Sequence, residues 1–535
     1  MLKLFSLPAF ISYLKDFSLI VFSALFLILS FPPFDLGFLA WISLVPLLIA
    51  LRTKSLRYSF FLSLVCGIIF FMGVFNWILT VEDYSYLHHI ILAFYLGSYF
   101  GIFGLTFNSI SRRLGILPAL FAAPFVWITA EYIRSNFTFL ALPWALLAHS
   151  QYQYPMVIQS ASLFGTYGIS FQIMTVNSAI AAIVMVFLYK SEKRECMSFK
   201  PRLKTGAMIL GIITALFITF SLLYGHSILT RPIDGKKVKI SVVQGNIEQK
   251  KKWDPNYAHD IMRVYSNLTE KASIDHPEMI IWPETASPGS INLNPRLYSE
   301  VKDIAKNAGA YLLFGSAQYQ KFARGGVQNL KCLNSAFLIG PEAGITLNQR
   351  YDKIRLLPFG EYLPMKETIP WSYIGVRNIS EFSQGREFTI FNIPGSHFGV
   401  VICWENIFPD LFRQFVLNGA QFMVNITDEA WFGKTAAPYH FVSMSIFRAV
   451  ENRSYVVRCG NTGVSCIIDP YGRILDRVKD ETGTDVFIRG VMSGWVIPLK
   501  SKTFYTRYGD LFAVVASFIS AIFLAVTFLY KYKRY

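Results

Sequence analysis

The sequence predicts a multi-span α-helical membrane domain joined to a globular α/β domain outside the membrane. Three observations lead there. Hydrophobic residues make up 53% of the 535 and the mean hydropathy is +0.40, too apolar for a chain with an ordinary polar surface. The apolar residues gather in long uncharged runs before about residue 225 and again at the C-terminus. Between these, residues 228–505 have ordinary globular composition with repeated short runs of Val, Ile and Leu.

A helix needs roughly 20 residues to cross a hydrocarbon core of about 30 Å. Runs of this kind predict about eight helices, near 17–31, 37–51, 59–80, 90–109, 115–133, 166–189, 206–224 and 511–530. The first two are short and joined by the turn "FPPFD", which fits either a hairpin of tilted helices or a partly re-entrant segment. No small-x-small cleavage pattern precedes Pro32, so the first run is not expected to be a cleaved signal peptide.

Orientation follows from Lys and Arg between the spans. "RTKSLRY" (52–58), Arg112 with Arg113, "KSEKRECMSFKPRLK" (190–204) and the tail "KYKRY" (531–535) fall on one side if the helices alternate. The opposite connections, "FPPFD" and "VEDYSYLHH" (81–89), carry neither residue. Both termini are therefore expected in the cytoplasm and the large insert outside it. The expected domains are 1–227, a transmembrane domain of about seven helices; 228–505, the outer domain; and 506–535, a last transmembrane helix with its basic tail. The net charge of +16 reads as topological anchoring and not as a nucleic-acid surface, since the cations sit at helix ends.

The outer insert reads as α/β. Apolar runs at 237–245, 278–284, 310–318, 335–341, 397–405, 421–429, 454–460 and 463–469 alternate with amphipathic stretches such as 256–273 and 296–308. Near-continuous Val/Ile/Leu runs are the mark of strands buried on both faces, so sheets covered by helices are expected.

Three polar residues stand where such strands end: Glu284 in "IIWPE", Lys353 in "RYDKIRLLPFGEYLP" and Cys403 in "FGVVICWENIFPD". Strand ends are where open α/β sheets present reactive groups. A thiol attacks well only as thiolate; a nearby ammonium stabilises that form while a carboxylate accepts the proton. The same ammonium can hydrogen-bond the oxyanion formed on a carbonyl. Glu, Lys and Cys thus suffice for acyl transfer without histidine, metal or cofactor.

"WPETA" (282–286), "YDKIRLLPFGEYLP" (351–364), "ICWENIFPD" (402–410), "EAWFG" (429–433) and "RAVENRSYVVRCGNTGVSCIIDPYGRI" (448–474) resemble the nitrilase, or carbon-nitrogen hydrolase, superfamily. With "VVQGNIEQKKKWDP" (242–255) and "ALPWALLAHSQYQYP" (141–155), the resemblance narrows to the apolipoprotein N-acyltransferase family and covers nearly the whole chain. It implies an αββα nitrilase-like sandwich on the periplasmic side of a bacterial inner membrane. It also implies transfer of an acyl chain from a phospholipid, through an enzyme thioester, to the α-amine of a diacylglyceryl-modified apolipoprotein. By position, Cys403 would be the nucleophile, Glu284 the general base and Lys353 the oxyanion-stabilising cation. Glu361 and Glu405 would hold Lys353 and the thiol in place, and Trp253 and Trp404 would lie near substrate; for Trp253 a packed, partly buried tryptophan is the plain alternative. The expected partners are the two lipid substrates and membrane lipid, with no nucleic acid, and the chain is expected to be monomeric.

Moving a chain of roughly 16 carbons from lipid to water would cost on the order of 12 kcal/mol at about 0.8 kcal/mol per methylene. The active site is therefore expected to face the bilayer. The stretch 137–155, aromatic and broken by Pro143, suits an interfacial element lining the groove; a ninth short membrane helix or a plain interfacial loop suits it as well.

The chain departs from the family pattern in places. Before "AWFG" the pattern has Asn-Asp, but this chain has Asp428-Glu429, so nearby loop hydrogen bonds are expected to differ. Cys459 and Cys466 stand where small residues are usual; a bridge between them is open but not expected. Cys66 lies within a span and Cys196 on the cytoplasmic side. The eight His are scattered and no HExxH is present, which argues against metal hydrolysis. His440 is expected to begin a helix and pack near the site, not to serve as base. Two rival functions remain: a membrane-anchored amidase-like hydrolase, and an inert transporter or scaffold. Transporters keep ionisable groups inside their spans, whereas here Glu131 near a helix end is the main one.

Overall fold

The computed structural model describes residues 7–191, 199–324, 327–342, 349–369, 371–374 and 381–530. Cys196 and the tail 531–535 lie outside them, as does the rest of 192–198 within the basic stretch. The chain divides into two compact units, one of Met1–Leu79, Tyr84–Thr230 and Tyr508–Tyr535, the other of Thr80–Asp83 and Arg231–Arg507.

Among the described residues, the first unit has seven helices long and apolar enough to span a membrane: Phe10–Leu29, Leu56–Val74, Tyr86–Leu114, Ile116–Asn136, Ala161–Leu188, Leu203–Leu229 and Leu511–Leu529. The run at 37–51 does not make an eighth. It forms a 3-10 turn, Gly37–Trp41, and a six-residue helix, Val45–Ala50. Pro46 is the physical reason: it excludes the helix preceding it and opens the next. The freed backbone groups find side chains, as groups away from water must. Asn177 Oδ1 accepts from Leu44 N at 2.8 Å, Asn177 Nδ2 donates to Ala40 O at 2.9 Å and Gln151 Nε2 donates to Gly37 O at 2.7 Å.

The stretch 137–155 makes no ninth membrane helix either. It holds two short 3-10 turns, Thr138–Leu140 and Leu147–Gln151, in otherwise irregular chain that is largely buried from Ala141 onward. Glu131 Oε1 accepts from Leu147 N at 2.9 Å and from Trp127 Nε1 at 3.0 Å. Arg134 donates to the carbonyls of Leu142 and Trp144, at 3.2 and 2.7 Å. Elsewhere small residues let helices meet: a Cβ on Gly67 would lie 2.8 Å from the Cα of Gly97, so both glycines permit the close approach of Leu56–Val74 and Tyr86–Leu114.

The second unit is built on two six-stranded sheets. Its strands are β1 (Val238–Gln244), β2 (Met279–Ile281), β3 (Tyr311–Arg324), β4 (Val327–Ile339), β5 (Arg350–Asp352), β6 (Ile390–Ile393), β7 (Ser396–Ile402), β8 (Phe422–Thr427), β9 (Tyr455–Gly460), β10 (Cys466–Ile468), β11 (Ile474–Arg477) and β12 (Gly490–Val496). One sheet runs β12-β1-β2-β3-β4-β5 and the other β11-β10-β9-β8-β7-β6. At the heart of each lie three parallel strands, β1, β2, β3 and β7, β8, β9. The thiol of Cys459 on β9 donates to Val243 O on β1 and Ile281 O on β2, so the sheets meet face to face. Helices Ala258–Ser273 and Pro295–Ala308 bury one face of the first sheet, their Tyr265 and Val301 sharing a core with Trp282, which follows β2. Helices Pro409–Leu417 and Ala437–Asn452 belong with the second. The layers are α, β, β, α.

Candidate active site

The three reactive side chains come from the ends of three different strands. Glu284 follows β2, Lys353 follows β5 directly and Cys403 follows β7 directly. The chain turns sharply at the first and the last of these. Thr285, beside Glu284, has φ of 44°, and Cys403 itself has φ of 56°, a left-handed conformation that costs a β-carbon residue energy and persists only when its surroundings fix it. The fixing groups are identifiable. Asn425 Nδ2 donates to Val401 O at 3.1 Å and to Cys403 O at 3.2 Å, and Glu405 Oε2 accepts from Ile402 N at 2.8 Å. Gly315 on β3 lets the Glu284 loop press close, since a Cβ there would lie 2.7 Å from the Glu284 Cα.

Lys353 Nζ sits between two carboxylates, 2.9 Å from Glu361 Oε1 and 3.4 Å from Glu284 Oε1. Asn334 Nδ2 bridges the same two oxygens, at 3.1 Å from Glu361 and 2.7 Å from Glu284. The free end of each carboxylate is also held: Glu284 Oε2 accepts from Asp428 N and Glu361 Oε2 from Leu357 N, both at 2.8 Å. Lys353 is 1% exposed and Glu284 6%, so these charges act in a medium that screens them little.

The electrostatics determine the resting state. Burial works against the Lys353 ammonium, but the Glu361 and Glu284 carboxylates outweigh it and hold the group charged, well above the ordinary lysine range. Burial pushes the Cys403 thiol well above its ordinary range; Glu284 adds to that, and Lys353 and a hydrogen bond with Thr427 pull only partly back. Burial thus favours the neutral thiol, so the proton has to leave for a base as the sulfur attacks. Two carboxylates and one ammonium already leave a net negative charge, and a free thiolate would add a second. If the proton moves to Glu284 as the thiolate forms, the net charge stays constant.

Glu405 is fully buried; the ion pairs of Lys353 are with Glu284 and Glu361, and Glu405 feels the ammonium only through its field. Its Oε1 accepts from Ile354 N at 2.7 Å, Arg355 N at 2.8 Å and Tyr351 Oη at 2.8 Å, which ties the chain after β5 to the turn after β7. Burial pushes its carboxyl up to about 7 despite the backbone donors of Ile402 and Arg355. Trp404 is buried, with its indole N–H donated to Arg355 O at 2.6 Å and its ring edge-on to Phe408 at 5.0 Å. Trp253 is 52% exposed. His440 lies buried in the helix Ala437–Asn452, and Cys459 and Cys466 are free thiols. Asn334, Tyr351 and Lys252 escaped the sequence reading. Asn334 left one trace, a polar residue interrupting the apolar side of β4; Lys252 left none, as the third of three consecutive lysines.

Family models match this chain in two stretches. Residues 23–179 fit the apolipoprotein N-acyltransferase N-terminal domain and residues 239–495 the carbon-nitrogen hydrolase family. The apolipoprotein N-acyltransferase of Geobacter metallireducens is 35% identical, over 96% of this chain and 95% of the relative. The chain belongs to the apolipoprotein N-acyltransferase family. A relative of the same name from Chlorobaculum tepidum is 30% identical over 96% of each chain. Among solved structures, Saccharomyces cerevisiae Nit3, a member of branch 10 of the nitrilase superfamily, is 18% identical with a TM-score of 0.37, covering 49% of this chain and 91% of its own. As a member of that family the protein is an acyltransferase, and with seven membrane-length helices among the described residues it is a membrane protein. The reading of an inert transporter or scaffold falls.

Proposed function

We propose that Cys403 carries a phospholipid acyl chain as a thioester and delivers it to the α-amine of a diacylglyceryl-modified apolipoprotein. The observation that supports this best is the Lys353 ammonium fixed between Glu361 and Glu284, with the neutral Cys403 thiol in the field of all three. Glu284 takes the Cys403 proton as sulfur attacks the ester carbonyl, and Lys353 hydrogen-bonds the oxyanion. The C–O bond breaks, and the lysophospholipid alkoxide leaves with the proton from Glu284. In the second half the apolipoprotein amine attacks the thioester, Glu284 receives the amine proton, and the sulfur departs as thiol once it regains that proton. The amide product is released. One covalent intermediate shared by two half-reactions gives ping-pong kinetics.

In this reading Glu361 positions Lys353, Glu405 locks the two loops that carry Lys353 and Cys403, and Trp253 lies at the entry for substrate. The catalytic domain faces the periplasm and both termini are cytoplasmic, with the broken apolar segment 37–51 returning the chain across the membrane between the first two long helices, so that the cationic connections share one side. The enzyme acts as a monomer, since every reactive group comes from one chain. The test is mass analysis of purified protein incubated with phospholipid. The expected result is an acyl-sized increment on the Cys403 peptide, removed by neutral hydroxylamine. Free fatty acid without that increment would favour the membrane-anchored hydrolase instead.

A further inference from the structure

The base of this scheme is gripped from a second side by groups outside the Glu–Lys–Cys set. Lys252 ends the short helix Gln249–Lys252 that follows β1, and Asp428 follows β8 in the other sheet. Their side chains form an ion pair across the two sheets and are 3% and 6% exposed. Lys252 Nζ also donates to the main-chain carbonyl of Glu284 at 2.8 Å. The main-chain N–H of Asp428 donates to Glu284 Oε2 at 2.8 Å. Asp428 Oδ1 is itself fixed, accepting from Asn461 Nδ2 at 3.0 Å and Ala430 N at 3.2 Å. Asn461 in turn binds both main-chain groups of Ile247, at 2.9 and 2.8 Å, between β1 and the helix that carries Lys252. The pair therefore holds Glu284 at both its carbonyl and its carboxylate, through a frame anchored in each sheet.

A buried ion pair is a weak device for stability, because desolvation cancels most of the attraction. Its value here is positional and electrostatic. Glu284 is faced by Lys353, Glu361 and Cys403 on the reacting side and by Lys252 and Asp428 on the other. Lys252 alone would place a second ammonium against the base and weaken it as a proton acceptor; Asp428 cancels that charge. The acid at 428, where the family pattern has an amide, is what makes the cancellation complete.

We propose that Lys252 and Asp428 are positioning residues for Glu284, and that the negative charge of Asp428 keeps Glu284 basic enough to take the Cys403 proton. This rests on Glu284 being the general base. The test uses full-length protein in detergent micelles containing phosphatidylethanolamine, and follows single-turnover thioester formation at Cys403 by mass across pH. In Asp428→Asn the unbalanced Lys252 stabilises the Glu284 carboxylate. The acid limb of the profile is expected to move down by about one pH unit, and the plateau rate to fall about tenfold. In Lys252→Met the unbalanced Asp428 opposes that carboxylate, so the limb is expected to move up. In the double variant Lys252→Met/Asp428→Asn the limb returns to the parent position with a reduced rate.

A role in folding alone would lower the yield or the melting temperature of every variant and leave the limb in place. Single-variant profiles that coincide with the parent's, or that shift in the same direction, overturn the proposal. If the single variants do not accumulate, the double variant, which leaves no unbalanced charge, decides: the parent's limb with a lowered rate supports the proposal, and the parent's rate overturns it. Glu284→Gln separates the two levels. If it forms thioester as fast as the parent, the assignment of the base fails; if it is inactive while the Lys252 and Asp428 variants behave like the parent, only the present proposal fails.

Discussion

Buried charge serves different ends in the two units. In the helical unit, Glu131 and Arg134 direct their hydrogen bonds to main-chain groups of the irregular stretch 137–155, together with one indole N–H. In the outer unit, Lys353, Glu284 and Glu361 are aimed at one another. A side chain that satisfies backbone can be exchanged for another with the same donors and acceptors. One that sets its neighbours' proton affinity cannot, because its formal charge is the function. The comparison can be broken by removing charge from each unit in turn.

The largest effect is expected at Lys353. Lys353→Met removes the oxyanion donor and leaves Glu361 and Glu284 facing each other without a cation, so thioester formation should fall by about 10²- to 10³-fold or more. Rapid-quench measurement of the acyl-enzyme checks this, and a loss under about tenfold would place Lys353 outside the chemistry. Next comes the thiol. Because burial raises Cys403, less thiolate is present at neutral pH than in a free cysteine. Iodoacetamide should label the Cys403 peptide more than about tenfold slower than free cysteine at pH 7. Labelling should keep rising with pH beyond the point near pH 9 where an exposed thiol levels off. A plateau at or below that point would mean a standing thiolate.

In the helical unit the effects should fall on stability. Arg134→Met strips a donor from the carbonyls of Leu142 and Trp144, a loss of about 1–3 kcal/mol for each buried group left unmade. Thermal unfolding in detergent should show it, while the pH profile of thioester formation by the folded fraction stays in place. The smallest effect is expected for Glu131→Gln, which keeps an acceptor for Leu147 N and Trp127 Nε1 and loses only the charge facing the buried Arg134, a cost of about 1–2 kcal/mol. A displaced pH profile in either variant would erase the distinction between the two kinds of buried charge.

Legibility in the sequence followed the same physics. Spans and central strands are readable because burial on all sides forces continuous apolar runs: β7, β8 and β9 were visible as such. The edge strands β5, β6, β11 and β12 were not, since they are short or half-exposed and need no such run. At 37–51 hydropathy suggested a span, and Pro46 with the buried amides of Asn177 and Gln151 made a broken one. In the site, Glu284, Lys353 and Cys403 were marked by lying at strand ends, and the family motifs supplied their roles. What no pattern carried was the pairing. Lys252 reads like its lysine neighbours until the fold buries it against Asp428, and Asn334 becomes a bridge only when β4 brings it between two glutamates. Tertiary contacts between residues far apart in the chain leave no local period to read.

The most direct test isolates the covalent intermediate and asks what it does alone. Enzyme acylated from phospholipid is purified free of donor and mixed with a peptide bearing an N-terminal diacylglyceryl-cysteine. The acyl mass is predicted to leave Cys403 and reappear on the peptide's α-amine without any further phospholipid. An increment that stays on Cys403, moves only to water, or requires fresh phospholipid before the peptide is acylated would contradict transfer through that sulfur.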